Sequence, residues 1–245
     1  MRAVIFDSGV GSRLGERTRL QPKCMTALDH AETIFSRQIR ILSACGVEEF
    51  VITTGPFADQ IETAAAICQR HNPGLRFIFV PNPQYRTTNY IVSMYHARDY
   101  LDTDLLLLHG DLVFSEGLVR EMLLNPAGSL CLYHEDKLLP RKDFKAQFRD
   151  GLLRKVSVRI FGDDCYAFQP LYKLNVDAVR IWRDRVNLFV ETGRNQVYAE
   201  EALNEVTSDV SIWGMSYKQH YIDEIDNEED YRRVSEEIHR FDGCY

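Results

Sequence analysis

The amino-acid sequence predicts an α/β fold: a mostly parallel, Rossmann-like sheet with helices on both faces and a lobe inserted in its second half. Three observations carry that prediction. Strand and helix signals alternate through the first half of the chain, the pattern of a parallel sheet covered on both sides. Two runs, Ala3–Phe6 and Leu105–Leu108, are continuously apolar, as strands buried on both faces are. The chain has 245 residues and a hydrophobic content of 45%, enough for one large domain with a sizeable core.

Taken in order, Ala3–Phe6 reads as the first strand, and a glycine-rich loop follows it. Ile34, Gln38, Ile41, Leu42 and Cys45 fall on one face of a helix over Ile34–Ala44, with Gly46 as its stop. Glu49–Thr53 is a second strand, Gln60–Arg70 a second helix, and Leu75–Val80 a third strand bounded by Pro81. Asn89 is placed to cap a helix running to Tyr100, and Leu105–Leu108 is the fourth strand. The second half changes character. Leu130–His134 reads as a strand, and the stretch 137–155 is dense in Lys, Arg and Asp, with Asp150-Gly151 as a hairpin turn. Val176–Trp182 and Tyr198–Glu205 read as helical, and Tyr221–Ile225 as a late strand. Asp226 or Asn227 then caps a helix whose first turn holds Glu228, Glu229 and Asp230, as the helix dipole favours. There is no Pro/Ser-rich linker and no internal repeat, so the expectation is one domain over 1–245, in three parts: 1–128, 129–215, and a closing strand and helix over 216–245.

Composition narrows the function. A formal net charge of −7 argues against a nucleic-acid backbone as partner. No apolar run approaches the ~18 residues of a membrane span, and the apolar stretch after Met1 is too short for a signal-peptide core. Cys24, Cys45, Cys68, Cys131, Cys165 and Cys244 show neither Cys-x-x-Cys pairs nor a zinc spacing, which reads as free thiols in a reducing cytoplasm.

The chemistry is concentrated in Gly9-Val10-Gly11-Ser12-Arg13-Leu14 and Gln21-Pro22-Lys23-Cys24-Met25. A strand running into a glycine-rich loop can turn its backbone N–H groups onto phosphates. Arg13 and Lys23 add the charge a polyphosphate needs. A dinucleotide loop fits less well, because Leu14 stands where the third glycine belongs and the second strand ends in Thr53-Thr54-Gly55 without an acid. Phe6-Asp7-Ser8-Gly9-Val10-Gly11 also resembles the opening of glutamate racemases, but the cysteines lack that family's flanking motifs. A glycine turn with no ligand remains the plain reading of the loop alone; Arg13 and Lys23 argue against it. Two further acids sit at strand ends: Asp111 in His109-Gly110-Asp111, and Asp226 in Glu224-Ile225-Asp226. Ligands in such sheets bind beyond the carboxyl ends of the strands, and Mg²⁺ takes carboxylate and phosphate oxygens. A turn aspartate at Asp111 and an N-cap at Asp226 are the structural alternatives.

The two halves of the first motif resemble the nucleotidyltransferases, whose signature reads G-x-G-S/T-R-L/M followed by P-K. Glu224-Ile225-Asp226-Asn227-Glu228-Glu229-Asp230-Tyr231 is similar to the ending of bacterial phosphocholine cytidylyltransferases. Thr88, Asn89 and Ser93 resemble their T-N-x-x-S motif near the nucleotide, with Tyr90 where a second asparagine is frequent. Asp7 and Ser8 depart from the two small residues usual before the first glycine, and the role of Asp7 is left open. The resemblance implies a nucleotide-diphospho-sugar transferase-like fold, with 1–128 binding the nucleotide and 129–215 forming an acceptor-binding lobe. It implies transfer of CMP from CTP to a small phosphonate or phosphate acceptor, with release of pyrophosphate. Gly9, Gly11, Ser12 and Arg13 would hold the phosphates, Arg13 and Lys23 would act in catalysis, and Asp111 and Asp226 would ligate Mg²⁺. A homodimer is compatible with it.

Leu139-Pro140-Arg141-Lys142-Asp143-Phe144-Lys145-Ala146 resembles a segment of cytidylyltransferases from phosphonate pathways, so Lys142 and Lys145 are candidates for the acceptor's phosphonate. A charge run is otherwise a solvated face. Asp136, Tyr198, Glu200 and Glu201 are candidates for a cationic head group. The phosphocholine enzymes carry a tryptophan where this chain has Ala199, which favours a primary amine such as 2-aminoethylphosphonate over phosphocholine. A sugar-1-phosphate nucleotidyltransferase and a non-catalytic nucleotide-binding regulator are the competing functions.

Overall fold

A computed structural model describes residues 1–29 and 32–242. Cys244 lies outside the described residues. The first half follows the expected alternation: β1 (Arg2–Asp7), α1 (Ile34–Ala44), β2 (Glu49–Thr54), α2 (Ala58–His71), β3 (Arg76–Pro81), α3 (Ile91–His96) and β4 (Leu105–His109). β1 pairs in parallel with both β2 and β4, and β2 with β3. Side chains alternate along β1, so Val4 and Phe6 enter one core while Ala3 and Ile5 enter the other. Both faces are dry, which is why these strands read as unbroken apolar runs. The helix expected to reach Tyr100 stops at His96 and continues as a 3-10 turn over Arg98–Tyr100.

The remaining elements are β5 (Leu112–Phe114), α4 (Glu116–Leu124), β6 (Leu130–His134), β7 (Lys145–Arg149), β8 (Leu152–Ser157), β9 (Cys165–Leu174), α5 (Val176–Glu191), α6 (Ala199–Asn204), β10 (Trp213–Ser216), β11 (Ile222–Glu224) and α7 (Glu228–Asp242). The main sheet runs β3-β2-β1-β4-β9-β6-β10-β8-β7 without a break between the halves. β9 is the join: it lies antiparallel to β4, β6 and β7. Sequence reading passes over β9 because Pro170 interrupts it. That proline falls where the β6–β9 register shifts, so no ladder hydrogen bond is demanded of it. The expected turn at Asp150-Gly151 closes the β7–β8 hairpin, with both residues at positive φ (54° and 77°).

Two features place the site. β5 pairs antiparallel with β11, and the Ile225 N–H donates to the Asp111 carbonyl at 3.1 Å. The C-terminal segment is thereby tied to the end of β4. A third apolar cluster, with Leu14, Leu28, Ile34, Val113, Ile225 and Val234, anchors the glycine loop beneath α7.

Candidate active site

A cleft of about 420 Å³ opens at the carboxyl ends of β1 and β4. Gly9, Gly11, Ser12, Arg13 and Lys23 form one wall; Thr88, Asn89 and Ser93 form another. Asp111, Glu224 and Asp226 lie at its floor, and Lys142, Asp143, Phe144 and Tyr198 border it from the second half of the chain.

The glycine loop is held tightly. Gly11 has φ 61°, and a Cβ there would meet the Lys23 Cβ at 2.9 Å. Only glycine therefore lets the loop turn against the Lys23 segment. The Thr18 hydroxyl donates to the Gly11 carbonyl at 2.9 Å and closes the turn.

Lys23 is the hub. Its Nζ donates to Asp111 Oδ2 at 2.7 Å and to Asp226 Oδ1 at 2.5 Å, while Arg13 reaches Asp226 Oδ2 at 2.8 Å. Burial works against the Lys23 ammonium, but Asp111 and Asp226 outweigh it and raise its pKa above the ordinary lysine value. Burial likewise opposes the Asp111 carboxylate, and Lys23 overcomes it, so its pKa falls below the usual range. Between the two capping candidates, Asn227 does the capping: its Oδ1 accepts the N–H groups of Glu229 and Asp230 at 2.8 and 3.1 Å. Asp226 is left free to face the cleft.

Glu224 completes a group that sequence reading missed. One carboxylate oxygen each of Asp111, Glu224 and Asp226 lies within 4.8 Å of the others. Burial first, then its acidic neighbours Asp111, Asp143 and Asp226, push the Glu224 pKa well above that of an ordinary glutamate. Asp111 Oδ1 and Glu224 Oε1 are buried without a hydrogen-bond partner. An all-oxygen, surplus-negative group with orphaned acceptors fits a hard divalent cation such as Mg²⁺. Glu224 is the last residue of β11 and Asp226 lies just beyond it, so only the short distance in sequence hinted that the two carboxylates meet.

The acceptor candidates divide. Lys142 and Tyr198 border the cleft. Lys145 does not: its ammonium is wholly buried, donating to the carbonyls of Pro140 at 3.0 Å and Val158 at 2.6 Å. Alternation along β7 does not account for this, since Gln147 and Arg149 share its face and are not buried; the Pro140 and Val158 carbonyls are what take up its ammonium. Asp136 is exposed and pairs with Lys218, outside the cleft. Glu200 is completely buried beneath it, accepting hydrogen bonds from the hydroxyls of Tyr90 and Tyr172. Glu201 follows it on α6 and does not border the cleft. Ala199 is also wholly buried, its carbonyl accepting from Trp182 Nε1 at 2.9 Å. A residue at that position faces the core here, so it carries no argument about the acceptor. The acid of this segment that does border the cleft is Asp143, to which sequence reading assigns no role.

A protein-family model described as the MobA-like NTP transferase domain matches residues 3–144. The chain belongs to that family. As an NTP transferase it shares 33% identity over 129 residues with the CMP-5'-(3-aminopropyl)phosphonate synthase of Streptomyces rubellomurinus, a match covering 53% of this chain and 20% of that protein. It is 25% identical over 212 residues to the 2-aminoethylphosphonate cytidylyltransferase of Lancefieldella rimae, covering 86% of this chain and 82% of the relative. Among solved structures, the CTP:phosphocholine cytidylyltransferase of Streptococcus pneumoniae superposes with a TM-score of 0.79 at 17% identity, over 97% of this chain and 98% of that one. An inositol-1-phosphate CTP transferase from T. maritima gives 0.77 at 15% identity, over 99% and 96%. These likenesses establish the nucleotide-diphospho-sugar transferase fold. The family assignment makes the chain a nucleotidyltransferase. No helix among the described residues is long and apolar enough to cross a membrane.

Asp7, at the end of β1, lies under this NTP transferase's floor. A Cβ on Gly110 would come within 1.7 Å of its Oδ1, so glycine at 110 is what admits the carboxyl group. Burial, opposed by the Cys24 thiol hydrogen bond, pushes its pKa up to about 7. An acid whose pKa rises on folding binds protons on folding between its unfolded and folded values. Stability should therefore fall as pH climbs from about 4 to about 7, with the full penalty present above that window. Asp7→Asn keeps an acceptor for Cys24 and removes the charge. It is expected to stabilise the fold at pH 8, by up to ~4 kcal/mol for a three-unit shift, seen as a higher Tm than wild type, and to change Tm little at pH 4. A Tm difference that stays constant across that range would contradict the assignment.

Proposed function

We propose that this nucleotidyltransferase transfers CMP from CTP to a small aminoalkyl phosphonate, 2-aminoethylphosphonate being the best candidate, and releases pyrophosphate. The observation that carries the proposal is the convergence on one cleft of a phosphate-binding side and an acceptor side. On the first, Gly9, Gly11, Ser12 and Arg13 meet Lys23 and the three carboxylates. On the second stand Lys142 and Asp143. This convergence argues against a degenerate, regulatory member of the family. The names of the Streptomyces and Lancefieldella relatives point the same way.

In-line displacement at phosphorus depends on positioning and charge neutralisation. A phosphonate oxygen is already largely ionised at neutral pH, the second pKa of such groups being ~6, so the chain needs no general base. The loop N–H groups and Arg13 hold the departing pyrophosphate, and Lys142 draws in the acceptor's anionic end. Asp111, Glu224 and Asp226 would hold Mg²⁺, which supplies charge neutralisation for the phosphoryl oxygens when bound.

The acceptor's amine is read from the charge around Asp143. Burial and then the negative charges of Asp226, Asp230 and Asp223 raise its pKa against a smaller opposing pull from Arg13, so its surroundings hold an excess of negative charge that a further cation would offset. A primary ammonium supplies one and donates hydrogen bonds that a quaternary ammonium cannot. Phe144 and Tyr198 pack edge-to-face, with centroids 5.0 Å apart. They form one wall and leave no gap between rings for a trimethylammonium group.

The test is pyrophosphate release across four NTPs and an acceptor panel. CTP with 2-aminoethylphosphonate should exceed CTP with phosphocholine by at least about tenfold in kcat/KM, the scale of one charge-assisted hydrogen bond. A preference for phosphocholine overturns the amine assignment. A preference for sugar-1-phosphates overturns the acceptor class.

A further inference from the structure

Ser8 is one of the two residues that depart from the small pair usual before the first glycine, and it borders the uncharged end of the cleft with Asn82, Tyr85, Asn89 and Ser93. A chain of hydrogen bonds there has a fixed direction. The Gln84 backbone N–H donates to Asn82 Oδ1 at 2.9 Å. That contact settles which end of the amide is which, because an N–H can only meet the oxygen. Asn82 Nδ2 therefore faces Ser93 and donates to its Oγ at 2.9 Å. Ser93 is fully buried, and its Oγ lies 2.6 Å from Ser8 Oγ. Both hydroxyls are buried, but Ser93 has no exposed surface while Ser8 keeps 5% at the cleft, where a ligand can take its proton, so the arrangement that pairs both protons has Ser93 donating to Ser8. Ser8 Oγ then spends a lone pair on Ser93, and its own proton is directed away from Ser93.

We propose that Ser8 is a base-specificity residue: its hydroxyl, set as a donor by the Gln84–Asn82–Ser93 chain, reads an unprotonated ring nitrogen on the nucleobase. This rests on the cytidylyl-transfer reading above. The triphosphate belongs with Arg13 and Lys23, which leaves the uncharged end of the cleft for the base. Cytosine presents N3 as an acceptor. Uracil presents N3–H, which can reach only the second lone pair of the Ser8 oxygen and leaves the proton of that buried hydroxyl without an acceptor. The same direction explains why a serine, rather than a second small apolar residue, stands beside the loop.

The test is the affinity of the acceptor-free protein for CTP and for UTP, measured by calorimetry with Mg²⁺ present. Ser8→Ala should weaken CTP about tenfold, the value of one well-placed hydrogen bond, and leave UTP unchanged. Asn82→Asp places an acceptor where Nδ2 stood. It reverses the chain, so Ser93 donates to position 82 and Ser8 to Ser93, and should cost CTP a similar factor with the Ser8 hydroxyl still present. Melting curves establish that each variant is folded; if Asn82→Asp is not, the Ser8→Ala ratio decides alone. Wild type that prefers CTP while Ser8→Ala keeps the same CTP:UTP ratio overturns the role of Ser8 only. Wild type with no preference for CTP overturns the cytidylyl-transfer reading, and the Ser8 assignment with it.

Discussion

Asp111→Asn and Asp226→Asn should each lower kcat/KM by about 10³ or more, since a bound divalent cation contributes several kcal/mol of transition-state stabilisation and every 1.36 kcal/mol is tenfold. Each substitution keeps the shape of the side chain and removes one charge. At Asp111 the change takes away the carboxylate that Lys23 holds at 2.7 Å and one of the three clustered oxygens. At Asp226 it breaks contacts to both Lys23 and Arg13. Both residues follow the ends of short strands, and the pairing of β5 with β11 that sets them side by side is made by backbone groups. The fold should therefore survive, and melting curves without Mg²⁺ check that. Calorimetry of Mg²⁺ binding separates the metal role from a purely electrostatic one: each variant should bind Mg²⁺ at least about tenfold more weakly. Near-full, Mg²⁺-dependent activity in Asp111→Asn would remove that residue from the site.

The sequence was most legible where one physical rule acted alone. Fully buried parallel strands demand unbroken apolar runs, so β1 and β4 stood out, and the amphipathic period of α1 matched its boundaries. The loop residues Gly9, Gly11, Ser12, Arg13 and Lys23 were readable as one group, and they line one cleft, because glycine and charge lie close together in the chain. Legibility failed where a side chain's direction depends on strands distant in sequence. Lys145 and Asp143 stand two apart in a charged run, yet one is sealed under the Pro140 and Val158 carbonyls and the other borders the cleft. Only the pairing of β7 with both β8 and β9 decides that. Glu200 looked like a free acid, and no local pattern announces that Tyr90 and Tyr172 meet it from two other elements. Glu224 ends β11 while Asp226 lies beyond the strand, so no strand period pairs them, and only the fold brings both beside Asp111.

Lys23→Ala should lower kcat by about 10²–10³, the usual cost of deleting one group that stabilises charge in the transition state, with a much smaller rise in KM for CTP. The argument begins with what Lys23 neutralises. It sits between Asp111 and Asp226, with Glu224 close behind, and is largely buried itself. Removing it leaves crowded carboxylates facing one another, and breaking a buried pair by deleting one partner costs about 3–5 kcal/mol. The variant should therefore melt lower than wild type without metal at neutral pH. Added Mg²⁺ should recover much of that loss if, as proposed, a divalent cation is held by the same carboxylates. Saturating Mg²⁺ should not recover kcat if the ammonium acts on the reacting phosphate, because that group is still missing. The two readouts together separate charge balance in the resting protein from transition-state stabilisation. A group acting only on the transition state lowers kcat and kcat/KM together, whereas uniform binding raises KM alone. A rise in KM for CTP at unchanged kcat would reduce Lys23 to a triphosphate anchor, and full rescue of kcat by Mg²⁺ would reduce it to a counter-charge for Asp111 and Asp226.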